Sequence, residues 1–161
     1  MKSFEYIKLK NKLLEKITKS FFINDIKYIY GYGSGVIPQK NHVASMIDVF
    51  FIVDDLKKFH ISNIKKNHEH YSGLAKICGV DNLVKVNKYG TSVFYNPGIE
   101  IGNDLFIKYG VIHIDDFNYH NTNWDNLFVP GRFHKPVLSI KSDKQIESTM
   151  NLNREAAVNN I

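Results

Sequence analysis

A short glycine turn set between two apolar runs constrains this chain more than any other feature. Lys27 to Tyr32 make the first run and Gly33-Ser34-Gly35 the turn. After a polar loop, Met46-Ile47-Asp48-Val49-Phe50-Phe51-Ile52-Val53 makes the second run. β-Branched and aromatic residues dominate both runs, as they do in buried strands. Gly33 and Gly35 permit positive φ and close approach by another group, and successive exposed N–H groups in such a turn form a concavity for an anion. Asp48 places a carboxylate at the mouth of the second run, so the turn and the acid together point to a phosphate cradle beside a cation ligand. The competing account is an ordinary Gly-rich turn, with Asp48 as its cap.

At 161 residues the chain has the length of one domain with a substantial core, and residues 1–161 are read as a single catalytic-type domain. Apolar residues at 43% and aromatics at 13% argue against a disordered or fibrous chain. No apolar run approaches the roughly 20 residues of a bilayer span. A formal charge of +5 suits an anionic partner, whether nucleoside triphosphate, nucleic acid or an acidic membrane surface. Cys78 is the only cysteine, which rules out an intrachain disulfide and a cysteine-based zinc cage.

Ile7, Leu13, Leu14, Ile17 and Phe21 recur at helical intervals among lysines, so the N-terminal segment is predicted as an amphipathic helix. Glu5, Glu15 and the lack of Arg there make it a poor transit peptide and an expected part of the fold. After the two strands, Leu56 to Asn67 is predicted as a charged helix and Tyr71 to Cys78 as a short one stopped by Gly79. Ser92 to Tyr95 and Leu105 to Ile114 are predicted as strands, and Asn123 to Val129 as a helical piece broken at Pro130-Gly131. Ser142-Asp143-Lys144-Gln145 has the form of a capping box, and Ile146, Met150 and Ala157 give the helix behind it an apolar side. The expected class is α/β or α+β, a mixed sheet flanked by helices.

Asp48 is the foremost candidate for a magnesium ligand. A second carboxylate facing the same way would stand two residues on, and that position is Phe50. Asp54 is too far along the strand, roughly 20 Å at about 3.3 Å per residue, and with Asp55 is expected to end the strand and cap the next helix. Glu100 and Asp104 are the remaining acids for a second ligand. Asp115 and Asp116 read as turn residues, and Asp125 as an acid in the first turn of its helix. Lys108 interrupts an apolar strand, so it either lies on a solvated edge or points into a phosphate site. Arg132, His134 and Lys135 form a basic cluster, suited to phosphate or simply a solvated loop. His60 and Asn63 share a helix face and could reach a common ligand, as surface residues also do. His68-Glu69-His70 reads as a solvated turn, since no third metal ligand is spaced nearby. Tyr95 and Trp124 could stack a base or belong to the core.

Several segments taken in order resemble one family. They are Gly31-Tyr32-Gly33-Ser34-Gly35-Val36, Met46-Ile47-Asp48 with Val53-Asp54-Asp55, His60 through Asn63, His70-Tyr71-Ser72, Val93-Phe94-Tyr95-Asn96, Ile107-Lys108-Tyr109-Gly110-Val111-Ile112, Asn123-Trp124-Asp125 and Gly131-Arg132-Phe133-His134-Lys135-Pro136-Val137. This collinear set, from about Ile23 to Asn153, is similar to the mitochondrial translocator assembly and maintenance family of phosphatidate cytidylyltransferases, also called CDP-diacylglycerol synthases. The resemblance implies a nucleotidyltransferase-like mixed sheet that uses Mg2+ and CTP to activate phosphatidic acid. It further implies a peripheral position on the matrix side of the mitochondrial inner membrane, an anionic membrane surface as partner, no nucleic acid, and a role in cardiolipin synthesis. By motif position Gly33, Ser34 and Gly35 belong to the nucleotide cradle, Asp48 to metal and catalysis, Lys108 to catalysis, and Arg132 and Lys135 to the nucleotide's phosphates. Family members continue into a C-terminal helical, winged-helix-like domain, which this chain is expected to lack. Two other classes stay open: a nucleotidyltransferase acting on nucleic acid or a small metabolite, and a non-catalytic membrane or import-machinery factor.

Overall fold

The computed structural model describes residues 2–37 and 46–159. The polar loop expected between the first two strands falls at 38–45, outside the described residues. Chain order is α1 (Lys2–Ser20), β1 (Tyr28–Tyr32), β2 (Ile47–Val53), α2 (Leu56–Lys66), α3 (Gly73–Lys88), β3 (Phe94–Ile101), β4 (Leu105–His113), α4 (Ile114–Asn123), α5 (Pro130–Phe133), β5 (Leu138–Lys141) and α6 (Lys144–Asn159). The strands form one sheet in the order β3-β4-β2-β1-β5. Only β2 and β4 run parallel, and the other pairs are antiparallel. The expected α/β mixed sheet flanked by helices is the observed one.

Both faces of the sheet are covered, which is why its central strands read as continuous apolar runs rather than alternating ones. On one face Ile29, Val49, Phe51, Ile107, Tyr109 and Val111 pack with Leu13 and Ile17 of α1, Phe21 just beyond it and Phe59 of α2. On the other, Tyr28, Tyr30, Tyr32, Phe50, Ile52 and Ile112 pack with Phe117 of α4, Phe133 of α5, and Ile146 and Met150 of α6. The period of two in a strand sends neighbouring residues to opposite layers, so Asp48 shares the second face with Phe50.

Several local expectations are corrected. The helix expected over Asn123 to Val129 is absent; the helix is α4, one segment earlier. His113 caps it by accepting from the Asp115 N–H, which places Asp115 and Asp116 in a first helical turn rather than a loop. Trp124 ends it in the left-handed conformation, and Asp125 accepts from His120 at 2.7 Å instead of starting a helix. Pro130 does not break a helix but opens α5, where a missing N–H costs nothing. Helix α3 departs from helical geometry at Gly79, as expected, but resumes and runs to Lys88. Strand β5 was not foreseen, and β3 extends through a bulge at Pro97-Gly98 well past Tyr95. The cap of α6 is Asp143, which accepts from the N–H groups of Gln145 and Ile146; Ser142 instead donates to Glu147. Asp55 caps α2, as expected, while Asp54, just past the end of β2, pairs with Lys27 instead of capping.

His60 and Asn63 are buried, not on the surface, and the ligand they share is the Tyr71 hydroxyl, at 2.9 and 3.0 Å. Asn63 also donates to the Tyr109 hydroxyl at 2.8 Å and accepts from Asn67 at 2.7 Å. His70 joins the same network through Tyr109, so the His68-Glu69-His70 turn is solvated only at its first two residues. Such a network is favourable only when its members are satisfied, and burial here penalises the charged imidazoles. His60 is pushed down to about 4 by burial, and His70 is lowered for the same reason. The unfolded chain protonates these rings near their ordinary 6.5 while the fold resists, so stability falls as pH drops from about 6.5 toward 4. The slope from one such group is at most about 1.4 kcal/mol per pH unit. Urea midpoints measured across this range should decline for the native sequence and decline less steeply for His60→Leu, whatever the variant's absolute stability. Equal slopes would assign the acid sensitivity to other groups.

Candidate active site

The site is assembled where β1 ends and β2 begins. Antiparallel pairing sets Tyr32 opposite Asp48, and parallel pairing sets Asp48 opposite Lys108. All three side chains therefore leave the same face of the sheet. Strand β4 is flanked on both sides, so Lys108 is not an edge-strand charge; it is half-buried beside the acid. Helix α5 brings Arg132 over the same face, anchored by Phe133 within the aromatic core and by Asn153 of α6, which donates to the Pro130 carbonyl.

Gly33 turns the chain at the mouth of the site with φ 74° and ψ −170°, a region open essentially to glycine alone. A Cβ there would lie 3.3 Å from Asp48 Oδ2, so the missing side chain keeps space open against the carboxylate. Ser34 is exposed and begins a short 3-10 turn, Ser34–Val36. Val36 N–H closes on the Gly33 carbonyl, while the N–H groups of Ser34 and Gly35 precede the first bond of the turn. Gly35 does not take positive φ, contrary to expectation. It is required by close packing, since a Cβ would meet the Met46 carbonyl at 2.9 Å.

Asp48 is half-buried and, among the described residues, has neither a hydrogen bond nor an ion pair. Burial raises its pKa, and the charges of Lys108 and Arg132 pull it back in part. An unpartnered acid oxygen beside a cavity that a Cβ would fill is a donor set that fits Mg2+, which binds through one or two carboxylates plus substrate phosphates and keeps several waters. Phe50, at the position of a second carboxylate, is fully buried against Tyr32, Tyr95 and Phe133 with centroids 5.2, 5.9 and 5.1 Å away. Asp104 is occupied elsewhere by Lys12 and Lys16. Glu100 is exposed on the edge strand β3, opposite Phe106. Among the described residues no group of three His, Cys, Asp or Glu side chains gathers as a metal cage.

Lys135 is exposed beyond α5, and no hydrogen bond, ion pair or ring contact joins it to this cluster among the described residues. Trp124 lies away from it, its ring 6.1 Å from His134. Tyr32 and Tyr95 are the components that sequence reasoning undervalued. Their hydroxyls meet at 3.3 Å, and burial raises both phenol pKa values. The period-two alternation from Tyr28 through Tyr32 was the available signal for Tyr32.

A family model described as mitochondrial phosphatidate cytidylyltransferase matches residues 14–160. The chain belongs to that family. It is 37% identical over 146 residues to the human mitochondrial phosphatidate cytidylyltransferase, an alignment that covers 86% of this chain and 32% of that protein. Identity to the Xenopus laevis enzyme of the same name is 38% over 148 residues, covering 87% of this chain and 43% of the relative. For Saccharomyces cerevisiae the values are 34% over 143 residues, 86% and 36%. The chain thus spans less than half the length of these curated relatives.

Because burial raises the Asp48 pKa, its ionised form weighs against the fold at neutral pH, and this burden disappears as pH falls through the carboxylate range. Asp48→Asn is therefore expected to raise Tm slightly at pH 7 and to leave it nearly unchanged at pH 3. A loss of Tm at pH 7 would show that the carboxylate is a structural partner rather than a free ligand.

Proposed function

We propose that this chain carries the nucleotide site and reacting centre of a phosphatidate cytidylyltransferase, converting CTP and phosphatidate to CDP-diacylglycerol and pyrophosphate. The observation that carries this reading is Asp48, a carboxylate without a partner among the described residues, with Lys108 across the β2–β4 ladder, Arg132 above and the Gly33 opening beside it. Family membership supplies the substrate class.

Asp48 would hold Mg2+, which when bound supplies charge to the triphosphate oxygens. The Gly33-Ser34-Gly35 turn would receive phosphate oxygens on its N–H groups. A phosphate oxygen of phosphatidate forms a bond to the α-phosphorus of CTP as the bond to the bridging oxygen breaks, and pyrophosphate leaves with that electron pair. Phosphatidate is already ionised near neutral pH, so no general base is needed. Positioning and charge stabilisation carry the rate, with Lys108 and Arg132 set against the charge on pyrophosphate or the lipid headgroup. Lys135, exposed beyond α5, would act on phosphate only at the rim. No helix among the described residues is long and apolar enough to cross a membrane. The reading places the protein peripherally on the matrix side of the mitochondrial inner membrane, where a net charge of +5 favours anionic lipid. Phe50 in place of a second carboxylate favours one alternative, a non-catalytic nucleotide-binding factor, which would bind CTP with Mg2+ and form no CDP-diacylglycerol.

CTP binding by calorimetry and CDP-diacylglycerol formation on phosphatidate vesicles test the proposal together. Asp48→Asn should lower turnover by about a hundredfold or more, as loss of a metal-held charge in a transition state does. Wild-type turnover in that variant would overturn the assignment.

Two glycine variants separate strain from site chemistry. Gly79 shares the unusual backbone of Gly33, but a Cβ there meets nothing within 4 Å. Gly33→Ala and Gly79→Ala should each cost on the order of 1–3 kcal/mol of stability. Only Gly33→Ala should also weaken CTP binding, and equal CTP affinity in the two would reduce the turn to a structural feature.

A further inference from the structure

Asp48 is flanked by two cations and paired with neither. Lys108 stands directly across the β2–β4 ladder on the same face. From there its flexible four-carbon stem can reach a carboxylate on the neighbouring strand. Its Nζ lies instead 4.7 Å from the centroid of the Tyr95 ring. Arg132 behaves likewise: its guanidinium centre is 3.8 Å from the Phe128 centroid and 6.0 Å from that of Tyr32, and it donates to the Phe128 carbonyl. The contact between the Tyr32 and Tyr95 hydroxyls ties the two perches together.

The Tyr95 ring can lie there only because residue 110 has no side chain. Tyr95 is opposite Gly110 in the β3–β4 ladder, and a Cβ on Gly110 would come within 2.7 Å of Tyr95 Cε1. Gly110 is not among the positive-φ glycines, so the demand is for space alone.

We propose that Tyr95 is a positioning residue whose ring, seated over Gly110, holds the Lys108 ammonium off Asp48 and so keeps the carboxylate free for a divalent cation. The inference rests on the reading of Asp48 as cation ligand. A cation–π contact is comparable to or stronger than a partly exposed ion pair, so a single ring is enough to decide where the ammonium sits. Without it, Lys108 would close onto Asp48 and compete with the metal. With it, the lysine stays close and loosely held, ready to move to an incoming phosphate.

The test is calorimetric titration of CTP at a series of Mg2+ concentrations, reading the Mg2+ level that gives half-maximal affinity. Tyr95→Leu should raise that level by about tenfold, the upper part of the range for losing a cation–π contact. Tyr95→Phe keeps the ring and should stay near wild type. Gly110→Ala displaces the ring without deleting it and should shift the Mg2+ level in the same direction as Tyr95→Leu. Adding Lys108→Met to Tyr95→Leu should bring the level back, because the competing ammonium is gone; a general loss of packing would not be repaired this way. An unchanged level in Tyr95→Leu and Gly110→Ala, with Asp48→Asn still raising it, would overturn the role of Tyr95 and leave the site assignment standing. A shift that Lys108→Met fails to reverse would overturn it as well. If Asp48→Asn leaves the Mg2+ requirement unchanged, Asp48 is not the cation ligand and both readings fail.

Discussion

The parallel register of β2 with β4 is the constraint on which the site depends. It sets Ile47 against Ile107 and Val53 against His113, and so fixes Asp48 against Lys108. A shift of one residue would turn Asp48 into the opposite apolar layer and bring Val49 to the site. That shift is opposed along the whole ladder, because Val49, Phe51, Ile107, Tyr109 and Val111 fill one core and Phe50, Ile52 and Ile112 the other. The chemistry of one polar pair is thus held in place by burial of its apolar neighbours on both faces, each worth about 1.5–3 kcal/mol when fully buried.

The two faces of the sheet do different work. Beneath it, His60, Asn63, Tyr71, Tyr109, Asn67 and His70 are joined in a buried polar network, and burial resists charge on the imidazoles. Above it, Asp48, Lys108 and Arg132 are near one another without an ion pair among the described residues, and both cations rest on aromatic rings. The motif residues His60 to Asn63 and His70 to Ser72 therefore belong to the support of the sheet, with Ser72 capping α3, while Tyr32, Asp48, Tyr95, Lys108 and Arg132 gather on the opposite face, where the reacting centre is proposed.

Phe50 shapes the upper face in two ways. A ring in place of a second carboxylate removes one anion from the site and supplies a buried floor for Tyr32, Tyr95 and Phe133. With one acid and two cations, the site is set up for a ligand that brings its own negative charge, as a triphosphate does. Arg132 reaches it through a loop tied down by His120, which contacts Asp125 at 2.7 Å and Ser92 at 3.2 Å.

The sequence by itself determined β1 to β4, most helices and the turn. Continuous apolar runs mark a sheet buried on both faces, and helical periodicity marks α1 and α6. It also singled out Asp48, Gly33 and Lys108 as candidates, because a charge or a glycine inside such a run is conspicuous, and the fold brings the three together. Local signals failed at Asn123 to Val129, where His113 capping α4 and Trp124 closing it outweighed propensity. They failed again at β5, whose four residues become a strand only by pairing with β1. Whether Lys108 lay at an edge or at the site, and whether His60 was solvated or buried, depended on strand order and layer packing. Those are contacts between residues far apart in the chain, and no local window contains them. The resting place of the Lys108 ammonium was likewise decided by tertiary structure alone, on a ring from β3 that lies over a glycine of β4.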